Sequence, residues 1–247
     1  MSSDVRGNVG IMGSTSLQSE PVLADIVERA HALQEQPSVR TSLAWERSKR
    51  VFDVAVATVL LVLLSPVLVL VALAVKLDSP GPLLFRQERF GRGRKPFVVY
   101  KFRSMYDGVS PDAHRRFIAQ LATTDEDQVP GLKKLVGDPR VTRVGAFLRR
   151  TSLDELPQLV NVLRSEMSII GPRPALAYEL EFYNPIHYAR FVVRPGLTGL
   201  WQVSGRNEIG FLGMLELDVE YARNSSPRLD AVILLRTPLA LIRSRAA

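Results

Sequence analysis

The hydrophobic positions of the chain are concentrated in residues 54–75, which are 22 positions without a formal charge, mostly valine, leucine and alanine. An α-helix of this length, at ~1.5 Å per residue, could cross the hydrocarbon core of a bilayer. Ser65 and Pro66 lie at its centre, however, and proline bends or breaks a helix because it lacks an N–H and clashes with the preceding turn. Basic residues flank the segment on both sides, and such residues favour the cytoplasmic side of a membrane. The pattern favours a re-entrant helix over residues 45–80, with a kinked spanning helix as the alternative.

The pattern after this segment predicts a helix-rich, mixed α/β fold. Residues 83–89 and 97–102 have the composition of two short strands, and the glycine-containing connection between them suits a hairpin. Helices are predicted over residues 111–121, 140–148, 153–163 and 229–242. We expect one compact catalytic domain over residues 81–247. Its last helix would lie either in the headgroup region of a membrane, as an interfacial amphipathic helix, or in the core.

The first 44 residues differ from the rest of the chain. Residues 1–44 mix serine, glycine and glutamine with small polar residues and have only a weak amphipathic stretch. This composition predicts a largely disordered arm. It contains no apolar core followed by a small-residue cleavage site, so it does not resemble a secretory signal. The polar loop at residues 123–131 is interpreted as an insertion without a chemical role.

Composition restricts the possible chemistry. The chain has no cysteine and three scattered histidines, which excludes disulfides, thiolate metal sites and cysteine nucleophiles and suits a reducing, cytoplasmic setting. Its net charge of +7 would attract polyanions. Anionic lipid headgroups and nucleotide phosphates attract the same arginines as a nucleic acid does. Nucleic-acid binding would therefore rest on charge alone, and we expect none.

An acidic pair, Asp154 and Glu155, lies within residues 151–157 and directly after Arg149 and Arg150. Ser152 and Glu155 have the spacing of a helix capping box, which is a structural interpretation. The catalytic interpretation is that the helix N-terminus lowers the pKa of Asp154 and keeps it ionised as a nucleophile. Adjacent helical residues point about 100° apart, so the two carboxylates should have different roles. This argues against a glycosidase pair.

Phosphate chemistry would need positive charge beside a carboxylate nucleophile, because the two anions repel. Arg149, Arg150 and Arg173 are the nearest candidates in the sequence. The prolines on either side of Arg173, Pro172 and Pro174, restrict its backbone and would pre-organise its guanidinium for a bidentate contact with phosphate. A rigid loop with a solvated arginine is the alternative. Mg²⁺ is the expected metal, since one or two carboxylates plus substrate phosphates usually hold it. The chain lacks the phosphate-loop, dinucleotide-binding, zinc-protease and nucleophile-elbow motifs.

Taken together, these motifs resemble the monotopic phosphoglycosyl transferases, also called bacterial sugar transferases. The resemblance covers roughly 200 residues, and so many motifs in the same order leave little room for coincidence. It is carried by residues 49–53, the break at Ser65 and Pro66, and residues 80–82, 101–105, 138–145, 151–159, 167–174 and 194–206.

The resemblance implies an enzyme of the bacterial inner membrane, on its cytoplasmic face, that moves a sugar 1-phosphate from a UDP-sugar to undecaprenyl phosphate and releases UMP. Asp154 would be the nucleophile, forming a covalent phosphosugar adduct, and a Mg²⁺ ligand. Glu155 would assist, by deprotonating or orienting the lipid phosphate. Substrate-binding positions would be Lys101, Arg149, Arg173 and Pro174. The family's Ser-Pro-broken re-entrant helix agrees with the pattern at Ser65 and Pro66.

Two departures from the family pattern stand out. Residues 164–166 read Arg-Ser-Glu where the family commonly has a glycine and an aspartate, which could alter a turn. We also expect that the chain lacks the membrane-spanning bundle of larger relatives and is the catalytic unit with a short extension. A non-catalytic, membrane-anchored scaffold is the competing hypothesis. The sequence does not identify the sugar, the glycan pathway (exopolysaccharide, capsule or O-antigen) or the strand order, and it leaves a homodimer open.

Overall fold

The computed structural model describes residues 42–108, 115, 116, 118–120, 138–205 and 209–246. Most of the predicted arm (1–44) and the predicted loop at 123–131 lie outside these residues. Of the helix predicted over 111–121, the described positions (115, 116 and 118–120) are helical.

Two helices form the hydrophobic segment. Helix α1 (Leu43–Leu63) and helix α2 (Ser65–Asp78) are separated by Leu64 and bent by 63° relative to each other. Pro66 cannot donate to the carbonyl of Val62, four residues earlier, and the hydroxyl of Ser65 donates to that oxygen instead, at 2.8 Å. Within the described residues, neither helix alone is long and apolar enough to cross a membrane, while the bent pair together meets that condition by length and composition.

The predicted hairpin is confirmed. Strand β1 (Leu84–Phe90) pairs antiparallel with strand β2 (Pro96–Phe102), with Leu84 opposite Phe102 and Phe90 opposite Pro96. A short 3-10 turn (Arg92–Arg94) connects them. Val99 and Phe102 of β2 are both buried, and because they are three positions apart they point to opposite faces of the hairpin and join different apolar clusters. Lys101, which lies between them in the sequence, is half-buried.

Short elements follow the hairpin. They are α3 (Arg143–Thr151), a 3-10 turn (Leu153–Glu155), α4 (Gln158–Leu163), β3 (Ser168–Ile170), two 3-10 segments (Ala177–Phe182 and Pro185–Val192), β4 (Gly196–Thr198), α5 (Leu200–Val203), α6 (Phe211–Asn224) and α7 (Pro227–Ala246). Strands β3 and β4 are parallel and form a second two-stranded sheet, which the sequence did not predict. The fold is a helix-rich mixed α/β fold, as predicted.

One apolar core joins the hydrophobic segment to the following elements. Its buried members are Ala57 from α1, Val99 from β2, Leu159 and Val162 from α4, Met167, Ile169 and Ile170 around β3, Tyr221 from α6 and Ile233 from α7. A second cluster unites Val71 and Val75 of α2 with Phe102 and Leu148. Helix α7 therefore contributes to the core at Ile233, while its Leu235, Leu239 and Ile242 are exposed.

Candidate active site

The acidic pair lies in a tight turn between α3 and α4. Helix α3 ends at Thr151, the next residue, Ser152, adopts a left-handed conformation (φ 57°), and Leu153–Glu155 then form a single 3-10 turn. Pro157 lacks the N–H that a continuous α-helix would bond to Leu153, and the N–H of Leu156 donates to the Leu153 carbonyl instead, at 3.3 Å. The predicted helix over 153–163 therefore begins only at Gln158. The predicted capping box is wrong, because the Ser152 side chain makes no capping hydrogen bond.

The two carboxylates have different environments. Asp154 is buried, with 8% of its surface exposed, while 31% of the Glu155 side chain is exposed. Burial, and next the negative charge of Glu155, raise the pKa of Asp154 from 3.8 to about 6, although Lys101 and Arg149 act in the opposite direction. The predicted lowering of this pKa by a helix N-terminus is wrong, because no helix begins at Asp154 and loss of hydration dominates. A carboxyl with this pKa is still mostly ionised at neutral pH.

Positive charge reaches the acidic pair from two elements. Lys101 of β2 places its Nζ 2.9 Å from Oε1 of Glu155. Arg149, in the last turn of α3, is exposed and lowers the pKa of Asp154 through its charge. The structure thus brings two of the sequence-predicted binding residues, Lys101 and Arg149, to the acidic pair. Their contact with a substrate stays a prediction.

Arg173 and Pro174 belong to a loop, residues 171–175, that follows β3 directly. The Arg173 guanidinium donates through Nη1 to Oε1 of Glu179 at 2.7 Å, and 23% of the Arg173 side chain is exposed beside a fully buried Glu179. Glu179 also accepts from the backbone N–H of Leu176 at 2.9 Å. Arg173 is therefore held by a buried carboxylate rather than solvated, and its role as a substrate ligand stays a prediction.

Arg89 is a residue near the site that sequence reasoning missed, since the sequence pattern marked it only as one of the basic residues after the hydrophobic segment. It is buried at the end of β1 and donates to the carbonyl of Pro174 at 2.9 Å. Burial, and next the charge of Arg173, lower the pKa of Arg89 to about 10, while Glu179 and Glu155 act in the opposite direction. Charges of both the Arg173 loop and the acidic pair therefore act on Arg89. No local pattern distinguishes it from its exposed neighbour Arg86.

Buried polar contacts also anchor the hydrophobic segment. On α1, Asp53 accepts hydrogen bonds from the Ser168 hydroxyl at 2.9 Å and the Ile169 N–H at 3.0 Å. Lys49 pairs with Asp230 of α7, and Arg50 donates to the carbonyls of Val162 and Leu163 at the end of α4.

The last turn of α2 is anchored in the same way. Arg103 donates to the carbonyls of Pro82 and Ser79, at 2.7 and 2.5 Å, and more weakly to that of Val75. Asp78 accepts from the N–H of Val144 at the start of α3, at 3.0 Å. Sequence analysis identified the residues that anchor α1 only as basic residues beside the hydrophobic segment or as part of a family motif.

The carboxylates near the site do not form a metal cage by themselves. Among the described residues, no group of three or more histidine or acidic side chains could hold a metal ion. Mg²⁺ commonly binds one or two carboxylates together with substrate phosphates. The acidic pair fits an ion that is shared with a phosphate ligand, and it does not fit an ion held by protein ligands alone.

A comparison with protein-family models decides the classification, because residues 44–244 match the model described as bacterial sugar transferase. The chain belongs to that family. The sequence-based identification as a phosphoglycosyl transferase, and therefore as an enzyme, is confirmed.

Relatives of this sugar transferase include proteins of which the match covers very different shares. The exopolysaccharide production protein ExoY of Sinorhizobium fredii is 42% identical over 200 residues, which cover 81% of this chain and 88% of ExoY. The UDP-glucose:undecaprenyl-phosphate glucose-1-phosphate transferase of Caulobacter vibrioides is 43% identical, covering 81% of this chain and 72% of that protein. The protein of the same name from Escherichia coli is 44% identical, covering 76% of this chain but 39% of its own length.

Residues 164–166, which depart from the family pattern, form a hydrogen-bonded turn after α4. Ser165 adopts the left-handed conformation (φ 67°) that normally favours glycine. The Glu166 carboxylate accepts from Nδ2 of the buried Asn161 at 2.7 Å. Asn161 also bonds the backbone of β2, through Val98 and Tyr100. Ser165 therefore holds a conformation that costs a serine more than a glycine, and Glu166 supports the contact between α4 and β2.

Proposed function

We propose that this sugar transferase moves a sugar 1-phosphate from a UDP-sugar to undecaprenyl phosphate and releases UMP, as the first step of a lipid-linked glycan such as an exopolysaccharide, capsule or O-antigen. The names of the Caulobacter and Escherichia coli relatives support both substrates. A Salmonella typhimurium relative is named for galactose instead of glucose, so the relatives leave the sugar open. The observation that carries the proposal is the buried, cation-flanked carboxylate of Asp154.

In the first step, a carboxylate oxygen of Asp154 attacks the β-phosphorus of the UDP-sugar. The bond from this oxygen to phosphorus forms, and the bond from phosphorus to the oxygen that bridges to the α-phosphate breaks, so UMP leaves with the bridging oxygen. A poorly hydrated carboxylate with a raised pKa is a better nucleophile than a solvated one. The charges of Lys101 and Arg149 reduce its repulsion from the phosphate.

In the second step, an oxygen of the lipid phosphate attacks the phosphorus of the adduct. The bond to Asp154 breaks, which restores the carboxylate and yields the diphosphate-linked sugar. Glu155 is the group that takes a proton from the lipid phosphate or orients it, because it is more exposed than Asp154 and adjacent to it in the same turn. Its contact with Lys101 keeps a cation beside both steps.

Mg²⁺ belongs to this proposal as an ion shared with the donor. Asp154 would be its protein ligand and the donor diphosphate would supply the other oxygens. Bound there, the ion would neutralise charge that develops on the phosphate oxygens.

The membrane part of the proposal rests on where the bent pair is anchored. The same core binds α1 through Asp53 and Arg50 and α2 through Asp78 and Arg103. Two ends held by one compact domain cannot lie on opposite sides of a bilayer. Helix α2, with 14 residues at ~1.5 Å each, is about 21 Å long and therefore too short to cross a ~30 Å hydrocarbon core. The helices would therefore be re-entrant, with the domain on the cytoplasmic face of the inner membrane.

The exposed side chains of the bent pair agree with this placement. The exposed large hydrophobic residues of α1 and α2 include Val59, Val62, Leu63, Val69, Leu70 and Leu73, which cluster around the bend in the chain. A contiguous exposed apolar surface is characteristic of a membrane or protein contact. Exposed leucines on α7 would extend the same contact into the headgroup region.

Accessibility labelling can test the topology, since the natural chain has no cysteine. Ser48→Cys and Arg86→Cys place single thiols at exposed positions on either side of the apolar segment, residues 54–75. In inverted inner-membrane vesicles, an impermeant maleimide should label both variants. Labelling of only one of them would establish a spanning segment and contradict the re-entrant placement.

The activity is tested by UMP release from a panel of UDP-sugars, using the full chain in nanodiscs with Mg²⁺ and undecaprenyl phosphate. We expect release with at least one sugar and its loss in Asp154→Asn. Glu88→Gln, a change at an exposed carboxylate on β1, is the matched control and should keep full activity. A folded protein that releases no UMP with any donor would contradict the transferase and favour the scaffold hypothesis.

A further inference from the structure

The Arg173 loop, residues 171–175, has its backbone bonded along its whole length. The N–H of Gly171 donates to Thr198 at 2.9 Å, the Pro172 carbonyl accepts from Gly196 at 2.8 Å, and Ala175 exchanges two backbone hydrogen bonds with Phe90. The carbonyls of Arg173 and Pro174 lie between these contacts. Each of them accepts a hydrogen bond from a buried arginine side chain.

The first of these arginines is Arg89. Its Nη1 donates to the Pro174 carbonyl at 2.9 Å, while its Nε and Nη2 both donate to Oε1 of Gln87, at 3.1 and 2.6 Å. Gln87 thereby fixes the plane of the guanidinium. The Arg89 side chain therefore contacts the backbone of the loop and not the side chain of Arg173.

The second arginine is Arg190, from the 3-10 segment Pro185–Val192. Its Nη2 donates to the Arg173 carbonyl at 2.6 Å and also pairs with the buried carboxylate of Asp218. Its Nη1 donates to the Tyr183 hydroxyl. Only 2% of Arg190 is exposed. Burial of a guanidinium is strongly unfavourable before its contacts are counted. Packing of a loop alone therefore does not account for this arrangement.

The Arg173 side chain itself remains partly accessible to solvent. Among the described residues, the hydrogen bonds of the Arg173 guanidinium go through Nη1 to Glu179, which leaves the Nη2 edge for a ligand. Three guanidinium groups, those of Arg89, Arg173 and Arg190, share the carboxylates of Glu179 and Asp218, so the cluster keeps an excess of one positive charge. A planar, pre-oriented guanidinium with excess positive charge suits a phosphate.

We propose that Arg89 and Arg190 are positioning residues, which hold two successive carbonyls of the Arg173 loop and so place the Arg173 guanidinium for the diphosphate of the donor. The inference rests on the proposed function, because it takes the ligand of Arg173 to be a nucleoside diphosphate. Pro172 and Pro174 leave the loop few rotatable angles. Fixing the adjoining carbonyls therefore also fixes the direction of the side chain, and small displacements of a binding group weaken a ligand strongly.

The test is a double-mutant cycle read out by UDP binding to the full chain in nanodiscs. Arg173→Gln keeps a donor for Glu179 and loses the charged fork, so it should weaken UDP binding about 10- to 100-fold. Arg89→Lys and Arg190→Lys keep the charge but not the fork, and each alone should weaken binding about tenfold. In the Arg173→Gln background, neither substitution should weaken binding further. Arg115→Lys, at an exposed pair with Glu181, is the matched control and should change nothing.

A milder variant covers the case in which a buried lysine prevents folding. Gln87→Ala removes the acceptor that orients Arg89 and keeps the buried charge, so it should weaken UDP binding about threefold in the natural background and not at all beside Arg173→Gln. Losses that add in the double variants would show that these residues do not act through Arg173 and would overturn the positioning role. A natural chain that binds no UDP would overturn the proposed donor and, with it, this inference.

Discussion

Asp154 should destabilise the folded protein while it serves the reaction. Raising the pKa of a carboxyl from 3.8 to about 6 corresponds to about 3 kcal/mol, at 1.36 kcal/mol for each tenfold change in the acidity constant. Only 8% of the residue is exposed, so solvent screening reduces this value little. Asn has nearly the same shape and no charge. Asp154→Asn should therefore stabilise the protein by about 3 kcal/mol at neutral pH while it abolishes transfer.

The stabilisation should depend on pH in a defined window. Below the unfolded-state pKa of 3.8, Asp154 is protonated in both states, and the variant should gain nothing. As the pH rises towards the folded-state value of about 6, the unfolded state ionises first and the natural protein loses stability relative to the variant. Above that value the difference is constant. The gap between the two proteins should thus open between pH 4 and about 6.

Thermal unfolding in detergent without Mg²⁺ measures this gap. For a chain of this size, about 3 kcal/mol corresponds to a rise of about 6 to 12 °C in the unfolding midpoint at pH 7.5. Glu88→Gln is the control, because this exposed carboxylate should give no such gap. Equal midpoints for Asp154→Asn and the natural protein at pH 7.5, or a gap that does not close at pH 4, would refute the reasoning that burial dominates at Asp154.

Three further predictions follow from single contacts. The rate of transfer should rise with pH as Asp154 ionises, and it should reach its plateau at a lower pH than the metal-free pKa of about 6 would give, because Mg²⁺ beside Asp154 favours the carboxylate. A rate that falls as the pH rises over this range would contradict an ionised nucleophile. Ser165→Gly should raise the free energy of unfolding by about 1 kcal/mol without changing activity, because Ser165 holds a left-handed conformation; chemical denaturation measures this, and an unchanged or lower value would show that the turn is not strained. Asp53→Ala should lower the free energy of unfolding by about 3 kcal/mol, since the buried Ser168 hydroxyl and Ile169 N–H lose their acceptor. A loss below about 1 kcal/mol would show that the anchor of α1 lies elsewhere.

Local chemistry explains what the sequence could predict. Pro66 cannot make one helical hydrogen bond in any environment, so the break between α1 and α2 could be predicted from Ser65 and Pro66 alone. The hairpin was readable for the same reason, because its alternation and its glycines act over a few residues. The family motifs likewise indicated Asp154 and Glu155 without any knowledge of their surroundings. Features of this kind depend on neighbours in the chain.

The missed features depend on distant residues, on local conformation that spacing does not show, or on segments too short to give a pattern. The capping-box spacing of Ser152 and Glu155 is real, but the left-handed Ser152 and the missing N–H of Pro157 produce a 3-10 turn instead of a helix start. The pKa of Asp154 is set by burial, which no spacing reveals. Strands β3 and β4 have three residues each, too short for a periodic signal. Arg89 and Arg190 meet the same loop from separate elements, so each looked like an ordinary basic residue.

The covalent role of Asp154 is tested most directly by incubating the full chain with the reactive UDP-sugar and Mg²⁺ but without lipid phosphate. We expect a burst of one UMP per protein, and a mass increase of one sugar phosphate on the peptide that contains Asp154. Addition of undecaprenyl phosphate should discharge the adduct. UMP release that requires the lipid phosphate from the start, with no adduct at any time, would contradict a covalent intermediate and indicate direct transfer between the two substrates.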